Sequence, residues 1–216
     1  MNFMDREIIK SIDRELMLQA LTHSSYSNEH KDCKNYERLE FLGDAVLELI
    51  TSEYFYKNTD YKEGIMTKKR ASFVCEQALS HYARELGIDK LIRVGHGQVG
   101  NINDTIIADV FESVLGAIYL THGLDIAREY IYEIIVPYIK KDFVFLGDYK
   151  TMLQEFVQTD RKSLEYVLTK EYGEAHNKTF EVEVKIDGIV YGKGVGKSKK
   201  EAEQHAAFDA YKKSAK

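Results

Sequence analysis

Hydrophobic residues recur at intervals of three and four along the first two thirds of the chain, for example at Ile8, Ile12 and Leu16. This spacing places apolar side chains on one face of an α-helix. It predicts helices at about residues 5–12, 14–21, 36–57, 66–86, 104–121 and 125–140. The glycines that mark helix ends and loops are Gly87, Gly95, Gly97, Gly100 and Gly123. Residues 1–141 are therefore expected to form an almost wholly α-helical domain.

The pattern changes beyond a short connector at residues 142–147. Tyr149–Gln158 has helical spacing, but the segments that follow alternate apolar and polar residues, as half-buried strands do. The predicted strands are Glu165–Lys170, Thr179–Asp187 and Val190–Val195. The Asp187-Gly188 pair favours a type I′ turn between the last two strands.

A final helix is predicted at Ser198–Lys213. Ser198 is suited to cap its N-terminus, and Glu201 three residues later completes a capping box. Residues 148–216 therefore have the element order α-β-β-β-α, which makes a complete small domain. The fold class predicted for the whole chain is α+β, with the all-α domain first.

The chain has 216 residues, of which 44% are hydrophobic and 30% charged, as in globular proteins of one or two domains. No apolar run comes near the roughly 20 residues of a membrane span, and the N-terminus lacks a signal-type apolar core. Cys33 and Cys75 are far apart and lack metal-ligand spacing. A reduced, cytoplasmic protein without a membrane partner is expected.

Charge is distributed unevenly along the chain. The net charge is −5, with −6 on residues 1–147 and +1 on residues 148–216. The total alone disfavours a polyanionic partner, but local patches matter more for binding than the sum. The two parts differ in character, as separate domains can.

Four acids lie within the apolar helix predicted at 36–57, namely Glu37, Glu40, Asp44 and Glu48. Their spacing places them near one another on the helix, where like charges repel. A second predicted helix carries Asp109 and Glu112, which are also flanked by apolar residues. Burying such acids is costly unless a cation is present.

Two packed helices could bring acids from each onto one divalent cation, with Gly43 and Gly116 permitting a close approach. Oxygen ligands suit Mg²⁺ or Mn²⁺ rather than Zn²⁺. Such an ion serves the hydrolysis of phosphate esters by neutralising charge and generating a hydroxide nucleophile. Alternatively, the acids are first-turn and solvent-facing residues without a joint role, and their spacing leaves both interpretations open.

The eleven residues from Glu37 to Leu47, ERLEFLGDAVL, resemble the signature of the ribonuclease III family. Further similarity lies in Ala20–Tyr26, Arg70-Ala71, Ala83–Gly87 and Ala108–Glu112, and the tail resembles a double-stranded-RNA-binding domain. The resemblance implies a bacterial-type enzyme, with a nuclease domain at 1–141 and an RNA-binding domain at 148–216. The implied activity is Mg²⁺-dependent cleavage of double-stranded RNA, with a role in rRNA and mRNA processing. The implied products carry 5′-phosphate and 3′-hydroxyl ends with two-nucleotide 3′ overhangs.

The same resemblance assigns roles to individual residues. The metal-binding and catalytic acids fall on Glu40, Asp44, Asp109 and Glu112. Mn²⁺ is expected to substitute for Mg²⁺. Glu37 and Glu63 resemble accessory acids, whereas Glu48 is expected to face solvent. Phe41 resembles an aromatic residue that fills a hydrophobic socket on a second subunit, which implies a homodimer. His23 is expected to be structural rather than catalytic.

The family's RNA-binding domain contacts a duplex from three regions, mainly through shape, phosphates and 2′-hydroxyls. The first resembles Thr151, Gln154, Glu155 and Gln158, whose spacing places them on one helix face. The second is the loop that contains His176. The third is Lys197, Ser198, Lys199 and Lys200, at a helix N-terminus of the kind that attracts phosphate. By itself, this lysine cluster is weak evidence for nucleic-acid binding, because a solubilising surface has the same composition.

A few positions depart from the family pattern. Asn35-Tyr36 stands where two Asn are common, Cys75 replaces an Asn, and Glu174 replaces a Pro. The loop from Gly95 to Asn101 lacks the usual Gly-Gly pair. None of these changes removes a metal ligand, so they bear on RNA contacts. Two alternatives stay open: a dsRNA-binding protein of the same fold that does not cleave, and a metal phosphohydrolase acting on a small nucleotide.

Overall fold

The chain divides into two compact units, Met1–Phe145 and Leu146–Lys216, and the division falls inside the predicted connector. The structure is a computed structural model that describes residues 3–143, 145, 149–159, 162–174 and 178–214. Each unit has its own buried core and is described separately.

The first unit is helical, as the periodicity predicts. Its helices are α1 (Glu7–Lys10), α2 (Arg14–Ala20), α3 (Ser24–Glu29), α4 (Glu37–Asn58), α5 (Glu63–Val74), α6 (Glu76–Leu86) and α7 (Asp104–Lys140). The Asn103 side chain caps α7 by accepting a hydrogen bond of 3.0 Å from the Ile106 amide. Helices α4 and α7 line the centre of the core with fully buried residues, among them Leu47, Ile50, Val110, Leu115 and Ile118.

Two features of this unit differ from the prediction. The single helix expected at 66–86 is wrong, because the backbone is extended at Cys75 (φ −73°, ψ 158°) and separates α5 from α6. Both helices bury apolar residues in one core, Phe73 from α5 and Leu79 from α6, so the apolar pattern runs on across the break. Helix α3 is not predicted by the periodicity, since it has six residues and is capped locally by the His23 ring.

Helix α7 confirms the two helices expected at 104–121 and 125–140. They meet at Gly123, whose backbone (φ 79°, ψ −177°) is not helical. A positive φ of this kind is easily adopted only by glycine.

By length and composition alone, α7 is apolar enough to cross a membrane, and it is the one such helix among the described residues. The expectation that no run comes near this length is therefore wrong for α7. In the fold, 61% of its most apolar stretch of 18 residues is buried. The core helix of a folded domain passes the same test, so this is weak evidence for a span.

Residues 142, 143 and 145 of the predicted connector pack on the helical unit. The Phe143 ring stacks on His81 with centroids 5.9 Å apart, and Phe145 lies 5.1 Å from Tyr82 and 5.3 Å from Tyr138. The Asp142 carboxylate also pairs with Lys69. The chain is therefore anchored to α6 and α7 as far as Phe145.

The second unit has the predicted order, α8 (Tyr149–Thr159), β1 (Leu164–Tyr172), β2 (Thr179–Ile186), β3 (Ile189–Gly196) and α9 (Lys199–Ser214). The strands form one antiparallel sheet in the order β1-β2-β3. Asp187 (φ 50°) and Gly188 (φ 78°) both have positive φ, which confirms the type I′ turn. The fold class expected from the sequence, all-α followed by α-β-β-β-α, is confirmed.

Helix α9 lies directly against the backbone of β3. A Cβ on Gly194 would stand 2.1 Å from the Ala202 carbonyl oxygen, so the alternate glycines of β3 permit this contact. Side chains of α9 also cover the open edge of the strand. The Asp209 carboxylate accepts a hydrogen bond from the Lys193 amide (3.0 Å). The side chains of His205 and Lys213 form hydrogen bonds with the backbone carbonyls of Val195 and Tyr191, respectively. An edge whose backbone groups are occupied is a poor template for pairing with another strand.

Candidate active site

The two acidic segments meet because α4 and α7 touch through glycines. A Cβ placed on Gly43 would lie 1.8 Å from the carbonyl oxygen of Glu112, and one on Gly116 would lie 2.4 Å from that of Leu39. No side chain fits in either gap. This confirms the hypothesis that Gly43 and Gly116 permit a close approach, and it brings Glu40 and Asp44 to the acids of α7.

The pKa shifts show that the acids of the two helices act on one another. Burial raises the pKa of Glu112 to about 8, and the negative charges of Asp44, Glu40, Asp109 and Glu48 add to the rise. Burial likewise raises the pKa of Glu40 to about 7, with further contributions from Asp109, Glu37 and Asp44. Each group is half-buried beside like charges, which disfavours its ionised form. The acids of α4 and α7 therefore lie close enough for their charges to interact, as the hypothesis of a joint role requires.

Asp109 is held by a hydrogen bond from outside the acidic group. The buried Tyr36 hydroxyl donates to Asp109 Oδ2 at 3.0 Å. Burial raises the pKa of Asp109, and this bond opposes the rise. Burial and the Asp109 charge raise the pKa of Tyr36, so its phenol stays protonated and acts as the donor. In the sequence, Tyr36 stands out only as a departure from the family pattern, and nothing there connects it to Asp109.

The donor set fits a hard divalent cation. Within the described part of the chain, no Lys, Arg or His forms an ion pair with Glu40, Asp44, Asp109 or Glu112. Glu40, Asp109 and Glu112 are half-buried, and carboxylates in such places without a positive partner are a costly arrangement that a cation would relieve. Across the described ranges, no three His, Cys, Asp or Glu side chains are already arranged as a metal site. Binding an ion would therefore require other carboxylates of this set to turn toward it and toward Asp109.

We expect the free energy of unfolding of the metal-free protein to fall as the pH rises from about 5 to 8. The pKa of Glu112 is raised from 4.5 to about 8, so the folded state binds more protons than the unfolded state over this interval. Glu112→Gln should have a melting temperature near that of the wild type at about pH 5, and about 5 °C above it at about pH 8.5. Thermal unfolding in EDTA measures both curves, and parallel curves would contradict the shift.

The other acids of the prediction lie at different places. Glu37 is exposed in the first turn of α4, close enough to Glu40 to raise its pKa. Glu63 begins α5, is exposed, and accepts a hydrogen bond from Thr67; none of its described contacts reaches the acids of α4 and α7. The expectation that Glu48 only faces solvent is wrong. Its Oε2 lies 2.8 Å from Nε of Arg70, an ion pair across α4 and α5 that is not aligned as a hydrogen bond.

Phe41 is 81% exposed on α4, although Leu39 and Gly43, two residues to either side, are buried. Leu49 and Tyr56 continue the exposed apolar surface of the same helix. Several large apolar side chains exposed along one helix are typical of a surface that contacts another protein.

His23 has a structural place. Its Nδ1 lies 2.8 Å from Ser25 Oγ, and its ring packs against Tyr36 with centroids 5.7 Å apart. The Ser25 hydroxyl accepts from the Gly95 amide at 2.9 Å. The segment therefore supports Tyr36 and ties the loop that begins at Gly95 to α3.

The predicted RNA-binding residues are partly described. Lys197, Ser198, Lys199 and Lys200 are all exposed at the start of α9. The Ser198 hydroxyl accepts from the Glu201 amide (3.1 Å), as an N-cap does, while the Glu201 carboxylate accepts from the Lys197 amide (2.6 Å). Gln154 is exposed on α8. Thr151, Glu155 and Gln158 also fall within α8. Their side chains, and His176, lie outside the described residues.

Comparison with known proteins decides the family. A family model described as ribonuclease-III-like matches residues 13–139, and one described as a double-stranded RNA binding motif matches residues 149–214. Ribonuclease 3 of Listeria welshimeri is 49% identical over 203 residues, which are 90% of this chain and 89% of that protein. This chain belongs to the ribonuclease III family. It is a ribonuclease with a helical nuclease domain and a C-terminal RNA-binding domain.

Other members of the family support the same alignment. Ribonuclease 3 of Bacillus cereus is 45% identical, with 98% of this chain and 89% of that protein covered. Among solved structures, the match to the nuclease domain of ribonuclease III from Campylobacter jejuni covers 57% of this chain and 86% of that one. The sequence identity is 36% and the TM-score is 0.53. In that nuclease domain, a region involved in dimer formation shows structural flexibility.

Proposed function

We propose that this ribonuclease III is an endonuclease that hydrolyses both strands of double-stranded RNA with Mg²⁺. The observation that carries the proposal is the contact of α4 with α7 through Gly43 and Gly116, which brings Glu40 and Asp44 close enough for their charges to raise the pKa of Glu112. The RNA-binding motif at residues 149–214 supplies a surface for the duplex. Glu40, Asp44, Asp109 and Glu112 are proposed as the residues that hold the ion.

A bound Mg²⁺ would supply charge neutralisation and an activated water for attack on a phosphodiester. The chain's own contribution is to bring the four carboxylates near one another, and the charge of the cation would favour their ionised forms. Oxygen donors alone select Mg²⁺, with Mn²⁺ as a substitute, over Zn²⁺. The products proposed are 5′-phosphate and 3′-hydroxyl ends with two-nucleotide 3′ overhangs.

We also propose a homodimer and a cytoplasmic role in rRNA and mRNA processing. The dimer is supported by the exposed surface of Phe41, Leu49 and Tyr56 on α4. It is supported also by the Campylobacter jejuni nuclease domain, which has a region involved in dimer formation. The processing role rests on kinship with bacterial proteins named ribonuclease 3.

The test is to incubate a long RNA duplex with the full chain, with Mg²⁺ or with EDTA. Short duplex products with 5′-phosphates are expected in Mg²⁺ alone, while single-stranded RNA of the same sequence stays intact. Binding without products would instead favour a non-cleaving RNA-binding protein. Hydrolysis of mononucleotides without cleavage of the duplex would favour the small-nucleotide phosphohydrolase.

We expect Lys199→Ala/Lys200→Ala to weaken binding of duplexes of any sequence by about tenfold at low salt. These lysines are exposed at the N-terminus of α9, where a phosphate would meet both charge and free amide groups. The slope of log affinity against log salt should decrease in magnitude by about 2, because two phosphate contacts are lost. Fluorescence anisotropy with labelled duplexes measures both quantities.

The matched control is Lys212→Ala/Lys213→Ala, which removes the same charge from the other, equally exposed end of α9. Its salt slope should stay close to that of the wild type. An equal loss of slope in both double variants would mean that only net charge matters and that the lysine cluster does not grip phosphate.

A further inference from the structure

The backbone amide and the backbone carbonyl of Tyr36 are both hydrogen-bonded. The residue stands directly before α4 and is 3% exposed. Its amide donates to the Thr22 carbonyl at 2.9 Å, and its own carbonyl accepts from the amides of Leu39 (2.8 Å) and Glu40 (2.9 Å). The residue therefore moves with the first turn of α4, the turn that carries Glu40.

The side chain of Tyr36 reaches from α4 to α7. Its hydroxyl donates to Oδ2 of Asp109 at 3.0 Å, and its ring packs against His23. A buried ring with two torsion angles holds its hydroxyl in one place, in contrast to a long flexible donor. One carboxylate oxygen of Asp109 is thereby held, which fixes the direction in which the other oxygen can act as a ligand.

We propose that Tyr36 is a positioning residue of the metal site, whose hydroxyl orients the Asp109 carboxylate for the cation. The inference rests on the proposed function, because it takes Asp109 as a metal ligand. Groups that orient a ligand without touching the metal commonly change affinity or activity by about 10–100-fold when removed. The phenol is long enough to span the gap from the start of α4 to Asp109 on α7.

A purely structural role is the competing explanation, in which the bond only ties α4 to α7. The two roles differ in what the loss of the hydroxyl changes. A structural tie affects the stability of the nuclease domain at every metal concentration. A positioning role changes the affinity for the ion and leaves stability in EDTA almost unaltered.

The experiment compares Tyr36→Phe with the wild type and with Tyr130→Phe as a matched control. The Tyr130 hydroxyl is buried in the same unit and has no hydrogen-bond partner in the described structure. For Tyr36→Phe, the Mg²⁺ concentration that gives half-maximal cleavage should rise about tenfold, while the rate at saturating Mg²⁺ changes little. Calorimetric titration of Mg²⁺ and Mn²⁺ in the absence of RNA should show the same loss of ion affinity. Tyr130→Phe should match the wild type in both measurements.

Each outcome decides the proposal. Ion affinity equal to that of the wild type overturns it. If the melting temperature in EDTA is also lower in that case, the hydrogen bond has the purely structural role. A wild-type protein that takes up ions but does not cleave duplex RNA overturns the proposed function, yet the ion titration still tests Tyr36. A wild-type protein that binds no divalent ion overturns both.

Discussion

Replacing Glu112 by Gln is expected to abolish cleavage of duplex RNA, lowering the rate by about a thousandfold or more, with RNA affinity unchanged. Gln keeps the shape of the side chain but removes the charge that would hold Mg²⁺. Asp44→Asn should behave alike, because Asp44 on α4 and Glu112 on α7 belong to one electrostatic cluster. Cleavage of a labelled duplex in Mg²⁺ gives the rate, and anisotropy in EDTA gives the affinity.

Glu129→Gln is the control for this prediction, because Glu129 is an exposed acid on the same helix α7. It should cleave at the wild-type rate. Undiminished turnover by Glu112→Gln or Asp44→Asn at ordinary Mg²⁺ concentrations would disprove the assignment of the metal site. Loss of RNA binding together with cleavage would show that these acids support the fold instead.

A methyl group at position 43 is expected to destabilise the nuclease domain by about 3 kcal/mol, because the contact between α4 and α7 has no room for it. In Gly43→Ala, the new Cβ would stand 1.8 Å from the Glu112 carbonyl oxygen, which belongs to backbone and not to a side chain that could turn away. The melting temperature should fall by about 10 °C. Cleavage should fall as well, since α4 and α7 must separate and the acids with them. Thermal unfolding and the cleavage assay measure the two effects.

Gly64→Ala is the matched substitution. Gly64 is helical in α5, and a Cβ there would meet nothing within 4 Å. The change should leave the free energy of unfolding unchanged or raise it by about 0.5–1 kcal/mol, because alanine loses less backbone entropy on folding. Equal melting temperatures for Gly43→Ala and Gly64→Ala would contradict the close contact of α4 and α7.

Much of the fold could be predicted because its signals are local. The turn at Asp187-Gly188, the cap at Ser198 and the break at Gly123 each depend on residues adjacent in sequence. The break at Cys75 could not be predicted in this way. No glycine or proline marks it, and the apolar spacing of α5 continues into α6 because both helices face the same core.

The family motifs likewise point to the four acids, because each acid stands within a short run of matching neighbours. The motifs do not show which residues from elsewhere in the chain act on these acids. Glu48 is expected from its position to be solvated, but it pairs with Arg70 from α5. Tyr36 is a departure that was expected to bear on RNA contacts, yet its hydroxyl bonds Asp109. Both errors have one cause, since the partner comes from another helix and leaves no trace in local spacing.

The sequence by itself determined the α+β class and the order of elements in the second unit, and it indicated the family. It also singled out six residues, Glu40, Asp44, Asp109, Glu112, Gly43 and Gly116. Periodicity, turn chemistry and motif are properties of neighbouring residues, so a single chain displays them. Only the tertiary structure decided that Gly43 meets the backbone of α7, that Glu112 and Glu40 share one electrostatic environment, and that Tyr36 holds Asp109. Tyr36 and Asp109 are 73 positions apart, and their contact depends on how two helices pack around a common core.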